Sequence, residues 1–468
     1  MLPPAAELVA RFLRASGYTE TLSSFVAEAG LPQDIGANSM DAITIESILQ
    51  EKLSFDTSLN FEKSGLDDKH RRWSVTAPSK PVVLSSLPNR SNILSVSVIG
   101  LSISAAGRTK DYIAVTTADR KLHLLDPKSP NYEVARSYSE FQESPILDVL
   151  AIDDHHLLVA SMSGKLCLYD TVQDSMLEER KDHSKYVVKV VYYSEADTIW
   201  IATASWDAKV IVYQCTTRFG EDSPQLGKPY ATLHLPSIPE TLLFVTSPDD
   251  RNPVLVVARR DSTFLHFYAI QRSDSSELTF LGKQNLAPHS NAWIAFTPSD
   301  VQLSPTDPSL VAVATSTTPH MKLLVVKLLV PTKQSSLLDT DSNLGPDGVV
   351  TQASQARAEL SIQDREEAAI LVKVSTLAPQ TQYSTPRLVW RPDGSGVYVS
   401  SDDGVVRGIE ASTGKLMVAL EGHDLGSKLR CLWAGRLSTL QDRDLDGGAQ
   451  AECLISGGFD QKLIIWQL

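Results

Sequence analysis

The sequence predicts a mainly β chain, built from one repeated four-stranded unit and preceded by a small helical module. Two observations carry that expectation. A turn residue repeatedly stands six positions before an aromatic or large aliphatic residue, and the first three such turns, at Asp119, Ser163 and Asp207, lie 44 residues apart, inside the period of stacked β-repeats. Ahead of them, residues 6–32 follow a helical rather than an alternating apolar pattern.

Taking the elements in order, Leu8, Val9, Phe12 and Leu13 share one face of a helix. Gly17 ends it, because glycine adopts the left-handed conformation of a C-terminal cap without a Cβ penalty. Thr19 starts a second helix with Leu22, Phe25, Val26 and Ala29 on its apolar side, ended by Gly30 and Pro32. Stretches below about 40 residues usually need a partner, a metal or a disulfide to stay folded. Neither metal nor disulfide is available here, so self-association is the physical expectation.

Leu8, Phe12, Leu13, Gly17, Tyr18, Thr21, Leu22, Phe25 and Glu28 closely resemble the recurrent positions of the LisH (lissencephaly-homology) motif, a helix pair that dimerises into a four-helix bundle. The resemblance implies a motif over residues 6–38 and a homodimer held by Leu8, Phe12, Leu13, Tyr18, Leu22 and Phe25. A hairpin packed on the rest of the chain is the alternative. Residues 39–71 read as a helical or flexible connector. In it, Thr44 can cap a third helix running to Leu53, with Ile45, Ile48, Leu49 and Leu53 on one side, too short for a coiled coil. The basic cluster Lys69-His70-Arg71-Arg72 reads as a solvated linker, with a nuclear localisation signal as the alternative.

Along the repeats, Asp119 precedes Leu125, Ser163 precedes Tyr169, Asp207 precedes Tyr213, Asp261 precedes Phe267, Asp403 precedes Ile409 and Asp460 precedes Trp466, each by six residues. A short strand rich in Val, Ala, Ile and Thr comes before the first five of these turns, at 112–117, 157–161, 199–204, 254–258 and 397–400. A further unit is read from Ser309–Thr315, a turn near Thr317-Thr318-Pro319, and Met321–Leu329. The last unit, Ser456 to Leu468, with Gly422-His423 upstream, resembles a WD repeat, the four-stranded blade of a β-propeller. The resemblance implies a seven-bladed WD-repeat β-propeller over residues 72–468, joined to the small N-terminal α-helical module. A β-sandwich also repeats its turns at short intervals, but it has no reason to keep one turn-to-aromatic spacing.

The third strand of the last blade, Lys462–Gln467, would be an open edge unless another segment covers it. Residues 72–88, above all Pro81–Leu87, are the expected closing strand. Two insertions break the rhythm. Residues 331–369, rich in Ser, Gln, Asp and Ala, read as a disordered loop with a short helix at Gln363–Ile370. Residues 437–450 read as an acidic loop in which Asp442, Asp444 and Asp446 alternate as at the start of a calcium loop, but no Glu stands at the twelfth position.

Cys167, Cys215, Cys431 and Cys453 lack metal-ligand spacing and lie on or beside predicted strands, so buried free thiols in a reducing cytosol or nucleus are expected. No apolar run reaches the length of a membrane span, and Met1–Glu7 lacks the basic start of a secretory signal. The formal charge of −13 disfavours general binding to nucleic acid or anionic membrane, which needs clustered Lys and Arg.

Two groupings invite comparison with a catalytic triad: His183, Ser205 and Asp207, and His423, Ser456 and Asp460. The WD-repeat resemblance implies a structural role instead. In such blades a His before the first strand, a Ser or Thr on the second, the turn Asp and a third-strand Trp, here Trp466, form a buried set that pairs groups costly to leave unpaired. Tyr213 stands in place of the Trp in the third blade, which leaves that set incomplete. Gly-rich phosphate loops are absent, Asp153-Asp154-His155-His156 falls in a strand-connecting turn, and no carboxylate pair has the context of an acid and a base. No catalytic residue, cofactor or metal is expected.

The expected function is a non-enzymatic protein–protein interaction scaffold, cytoplasmic or nuclear, that dimerises through LisH and binds partner proteins on the propeller faces. Proteins that combine LisH with WD repeats serve ubiquitin ligases, corepressors and dynein–microtubule regulation, and fold alone does not choose among these. A propeller hydrolase with an active site at the channel mouth and an RNA-associated assembly factor are the alternatives.

Overall fold

The computed structural model describes residues 5–37, 44–45, 72–105, 107–139, 143–195, 198–216, 224–271, 277–289, 296–332, 352–437 and 451–468. The chain divides into two compact units, Met1–Asp67 and Asp68–Leu468.

In the first unit, α1 (Ala5–Ala15) and α2 (Thr19–Glu28) form a hairpin, and both helices end the same way. Gly17, at φ +76°, lets Tyr18 N–H reach Leu13 O at 2.9 Å while its own N–H reaches Arg14 O at 3.2 Å. Gly30, at φ +62°, repeats the pattern, with Leu31 N–H on Val26 O at 3.0 Å and Gly30 N–H on Ala27 O at 3.4 Å. These bonds satisfy carbonyls that a helix end otherwise leaves bare, in a backbone region that glycine takes without strain. Arg14 then ties the following turn to α1 through Gln33 O and Ile35 O, both at 3.2 Å. Of the third helix expected over Thr44–Leu53, only residues 44–45 are among those described.

The second unit opens with β1 (Lys80–Val83) and continues through seven groups of strands. The first two groups are β2 (Ile93–Leu101), β3 (Lys110–Thr117), β4 (Leu122–Leu125) and β5 (Val134–Tyr138), then β6 (Ile146–Ala151), β7 (His156–Ser161), β8 (Leu166–Asp170) and β9 (Ser175–Arg180). The next two are β10 (Val187–Glu195), β11 (Thr198–Ser205), β12 (Lys209–Thr216) and β13 (Ala231–His234), then β14 (Pro239–Thr246), β15 (Pro253–Arg259), β16 (Phe264–Ile270) and β17 (Leu278–Asn285). The fifth and sixth are β18 (Pro298–Leu303), β19 (Leu310–Thr315), β20 (His320–Lys327) and β21 (Ile370–Pro379), then β22 (Leu388–Trp390), β23 (Gly396–Val399), β24 (Val405–Glu410) and β25 (Leu416–Glu421). The last holds β26 (Leu429–Leu437), β27 (Ala451–Gly458) and β28 (Leu463–Gln467).

Every group is an antiparallel four-stranded sheet in chain order, except that the last takes β1 as its outer strand. First strands touch one another in sequence, β2, β6, β10, β14, β18, β22, β26, and β26 meets β2. The result is a seven-bladed β-propeller. Asp119, Ser163, Asp207, Asp261, Asp403 and Asp460 all lie in the turns between second and third strands, and residues 316–319 supply the turn of the fifth blade.

The core follows from strand alternation. Successive side chains point to opposite faces, so each blade packs against both of its neighbours. On β28, Leu463 and Ile465 join the cluster shared with the first blade, beside Ile93 and Val115, whereas Ile464 and Trp466 join the one shared with the sixth, beside Tyr398 and Val406. All four cysteines are buried, and none forms a disulfide.

Closure is made by β1, with Pro81 opposite Trp466, Val82 opposite Ile465 and Val83 opposite Ile464. Proline suits this place, since an outer strand can spare an N–H. The strand covers Lys80–Val83 and not the full Pro81–Leu87 segment, although Leu84 N–H still bonds Leu463 O at 2.9 Å. The residues before it are anchored as well. Trp73 packs edge-on to Tyr398, its ring lies 4.4 Å beneath the Arg391 guanidinium, and its N–H bonds Glu410 Oε1 at 2.9 Å. Gly396 and Gly408 make room for it, because a Cβ at Gly396 would stand 2.2 Å from the Trp73 ring and one at Gly408 2.7 Å from it. Arg391, fully buried, spends its charge on Glu452 through bonds of 2.9 and 2.6 Å, which joins the sixth and last blades.

The insertion read as a disordered loop over 331–369 with a short helix at Gln363–Ile370 holds a longer helix, α3 (Gln352–Ala369), and Ile370 already begins β21. The Ala, Gln, Glu and Arg content of α3 gives it good intrinsic helicity, while the same polar composition disguises it as a loop. Buried Glu366 docks it by accepting Asn285 N–H at 2.7 Å, and burial raises the Glu366 pKa. The acidic stretch 438–450, with Asp442, Asp444 and Asp446, lies outside the described residues, and Leu437 is the end of β26.

Candidate functional site

The turn between the second and third strands of a blade lies beside the loop that enters its first strand, and in the last blade four side chains link them. Trp466 Nε1–H donates to Ser456 Oγ at 2.8 Å, Ser456 Oγ lies 2.8 Å from His423 Nε2, and His423 Nδ1 lies 2.9 Å from Asp460 Oδ2. One proton arrangement satisfies all of them: the serine hydroxyl donates to Nε2, and Nδ1–H donates to the carboxylate. Asp460 also accepts Asp424 N–H at 3.0 Å and Lys462 N–H at 3.2 Å, so it holds the entering loop and its own turn together. Burial works against its charge, but His423 and these amides outweigh it and keep the carboxyl below its ordinary pKa.

The third blade repeats half of this. His183 Nδ1 lies 3.2 Å from Asp207 Oδ2, and Asp207 accepts Ser184 N–H at 3.0 Å and Lys209 N–H at 3.1 Å. His183 Nε2 meets Thr203 Oγ1 at 2.8 Å, and not Ser205. The reason is geometric. With Nδ1 held at the turn, Nε2 points deeper into the sheet, to the residue four before the Asp, which is Thr203 here and Ser456 in the last blade. Ser205 stands only two before it, where it donates to Lys185 O at 3.1 Å and accepts Asp207 N–H at 3.2 Å. The offset of four, shared by Ser456 and Thr203, is the sequence signal that identifies the partner. Tyr213 does not reach this set. Its hydroxyl donates to Asp182 at 2.9 Å, and Arg180 holds Asp182 at 2.7 Å. Burial pushes the Tyr213 pKa up, and burial lowers that of His183 against the pull of Asp207.

Ser456 and Ser205 are both fully buried, and Ser456 Oγ already takes the indole proton. Neither triad-like grouping presents a nucleophile to solvent. What they do chemically is fix loops.

Two surfaces are left uncovered by this packing. In the helical unit, Ala10 and Val26 are buried, Leu8, Leu13, Leu22 and Phe25 are half-buried, and Phe12 and Tyr18 are 37% and 54% exposed, their rings 6.5 Å apart. On the ring, Tyr186, Trp206, Tyr383, Leu425 and Phe459 are exposed. All five lie in second-to-third turns or in connections from a fourth strand to the next first strand, which an up-and-down blade places at one end of the ring. Trp206 stacks on Tyr186 at 5.1 Å, and the Arg260 guanidinium sits 5.4 Å over it.

Fold and surfaces together define a seven-bladed β-propeller protein with an N-terminal helical hairpin. The chain belongs to the UCP007778 family: residues 87–466 match its beta-propeller domain and residues 7–33 its LisH domain. No curated protein matches the chain. A LisH domain combined with a propeller fits a protein-interaction scaffold in general.

Proposed function

We propose that the protein is a non-enzymatic scaffold of the cytoplasm or nucleus that dimerises through LisH and offers protein partners the turn-bearing end of a WD-repeat propeller. The half-covered face of the helical hairpin carries this reading. Phe12 and Tyr18 remain exposed beside Leu8, Leu13, Leu22 and Phe25, and a second copy supplies the same face in return, as a two-fold interface requires. Joining two rings doubles their valency and raises avidity without any new contact. The exposed Tyr186, Trp206 and Arg260 cluster has the residue types that dominate interface energetics. The His183–Asp207 and His423–Asp460 clasps support the WD-repeat reading and hold the partner-facing loops in place.

Light scattering tests the dimer directly. The full chain should be a dimer at micromolar concentration, and a chain lacking residues 1–38 should be a folded monomer. Phe12→Asp with Tyr18→Asp should give the same monomer without shortening the chain. A full-length monomer sinks the dimerisation reading.

A further inference from the structure

The connection from β21 to β22 carries the sequence Thr381-Gln382-Tyr383-Ser384-Thr385-Pro386-Arg387 on the turn-bearing end of the ring. Its first half is a tight turn. Thr381 N–H donates to Ser384 Oγ at 2.7 Å, and Ser384 Oγ donates to Asp402 Oδ2 at 2.5 Å. Lys428 Nζ matches that carboxylate at 3.1 Å and also reaches Thr381 Oγ1 at 3.3 Å. Tyr383, at the tip, stays exposed.

The second half is different. Of the Ser-Pro and Thr-Pro pairs among the described residues, Thr318-Pro319 and Thr385-Pro386 are the two whose hydroxyl residue is exposed. Thr385 alone of these two has an arginine on its hydroxyl, because Arg430 of the last blade donates to Thr385 Oγ1. Arg387, two residues on, is a second cation in the same neighbourhood. Partial burial, then repulsion from Arg387, lower the Arg430 guanidinium to about 10. Arg387 meets a carboxylate only at 4.0 Å, on Asp300.

An exposed hydroxyl before a proline, already facing an arginine with another beside it, is a place prepared for a phosphate. We propose that Thr385 is a phosphorylation site, modified by a proline-directed protein kinase and read in place by Arg430 and Arg387. The kinase moves the γ-phosphoryl group of ATP: the Oγ1–P bond forms, the bond from that phosphorus to the bridging oxygen breaks, ADP leaves with the oxygen, and the hydroxyl proton passes to the kinase's base. Residues 384–387 lie in neither helix nor strand, and a proline biases the residue before it to extended backbone. Pro386 is buried, so the kinase takes the segment when the loop opens locally, and the phosphate then seats it again. The added charge of about −1.5 to −2 gains charge-assisted bonds from arginine, which is how a phosphate orders a loop. Asp402, held by Lys428, does not oppose it. The clamp places this charge beside Tyr383, and its effect on partners, alone in this inference, rests on the scaffold reading.

Incubating the full chain with ATP, Mg²⁺ and a proline-directed Ser/Thr kinase, followed by peptide mapping, should place a phosphate on Thr385, and Thr385→Val should remove it. Absence of phosphate at Thr385 in the folded chain overturns the site. The clamp has its own readout in phosphorus NMR. An unconstrained phosphothreonine gives up its second proton near about pH 6, and beside two arginines it should do so below about pH 5. Arg430→Gln should return that value toward about 6. Arg430→Lys should return it only part of the way, since the ammonium keeps the charge and loses the two-pronged bond. Should the glutamine variant fail to fold, Arg387→Gln should raise the value in its place. A phosphate that titrates near about pH 6 in the otherwise unmodified chain overturns the clamp. Neither readout involves a partner, so failure here leaves the scaffold reading standing.

Discussion

The third and last blades share one clasp and differ in almost everything around it. Both join a histidine in the entering loop to an aspartate in the turn, and both have that aspartate accept two further backbone N–H groups. The third blade is built from consecutive residues, and its third-strand aromatic turns away to Asp182. The last blade borrows its outer strand from the start of the propeller, completes the set with Trp466, and is bolted to its neighbour by Arg391 and Glu452. The His–Asp clasp is thus what a blade needs to fix its loops, and the extra bonds gather where the ring must be held shut.

Breaking the closure should have the largest effect. A chain beginning at Asn92 loses β1 and Trp73 and exposes the β28 edge with Ile464 and Trp466, so it should aggregate or unfold, while one beginning at Arg72 stays soluble and cooperative in thermal melts. Trp73→Ala in the full chain separates the anchor from the strand. An intact, cooperative fold from the shorter chain would remove the distinction between the two blades. Next comes Glu452→Ala, which leaves buried Arg391 with only the more distant Asp393 carboxylate, at 3.9 Å, as counter-charge and should cost about 3 kcal/mol in denaturant unfolding; the third blade offers no equivalent.

Asp460→Ala and Asp207→Ala follow. Each strands one imidazole N–H and two backbone N–H groups, so each should cost roughly 1–3 kcal/mol. If the clasp is the shared element, the two losses should agree within about 0.5 kcal/mol, and their sum should hold in the double variant, since distant sites add. A much larger loss for Asp460 would mean that the clasp also serves closure.

How much of this was legible in the sequence depends on how far apart the partners lie along the chain. The blades were readable because a turn, its strand and the residue six positions on are local, and each repeat restates the others. The His423–Asp460 pairing was readable because the last blade keeps all its members, including Trp466. Ser205 was misplaced for want of a direction: sequence names the hydroxyls near a turn, and only the orientation of the imidazole selects Thr203 over its neighbour. Trp73 and Arg391 were beyond reach, since Arg391 bonds Val75 O across 316 residues and Glu452 across 61, and nothing local marks either. Helix α3 was read only over its last turns, at Gln363–Ile370, and its first part was missed for the opposite reason. Its pattern is local but lacks an apolar stripe, so a helix of polar residues looked like a solvated loop.

The smallest effect should be one of pH, and it tests whether the third-blade histidine is the neutral hydrogen-bonding partner that its geometry implies. Burial, outweighing the attraction of Asp207, holds the His183 imidazole below its ordinary value in the folded chain, while the unfolded chain titrates at about 6.5. Between those two values the unfolded chain binds the extra proton, so stability should decline as pH falls through about 6.5 and keep declining until the folded value is passed. Asp207 and Asp460 carry lowered values, so their contribution is present above about pH 3.9 and lost only below it, outside this window. His123 and His266 are also held down by burial, His266 to about 4, but they titrate alike in any His183 variant. His183→Asn should therefore be less stable at every pH and should show a shallower decline in urea midpoint between about pH 7 and 5.5 than the unmodified chain. Parallel declines would mean that His183 is not kept neutral, and the third-blade clasp would then be an ion pair.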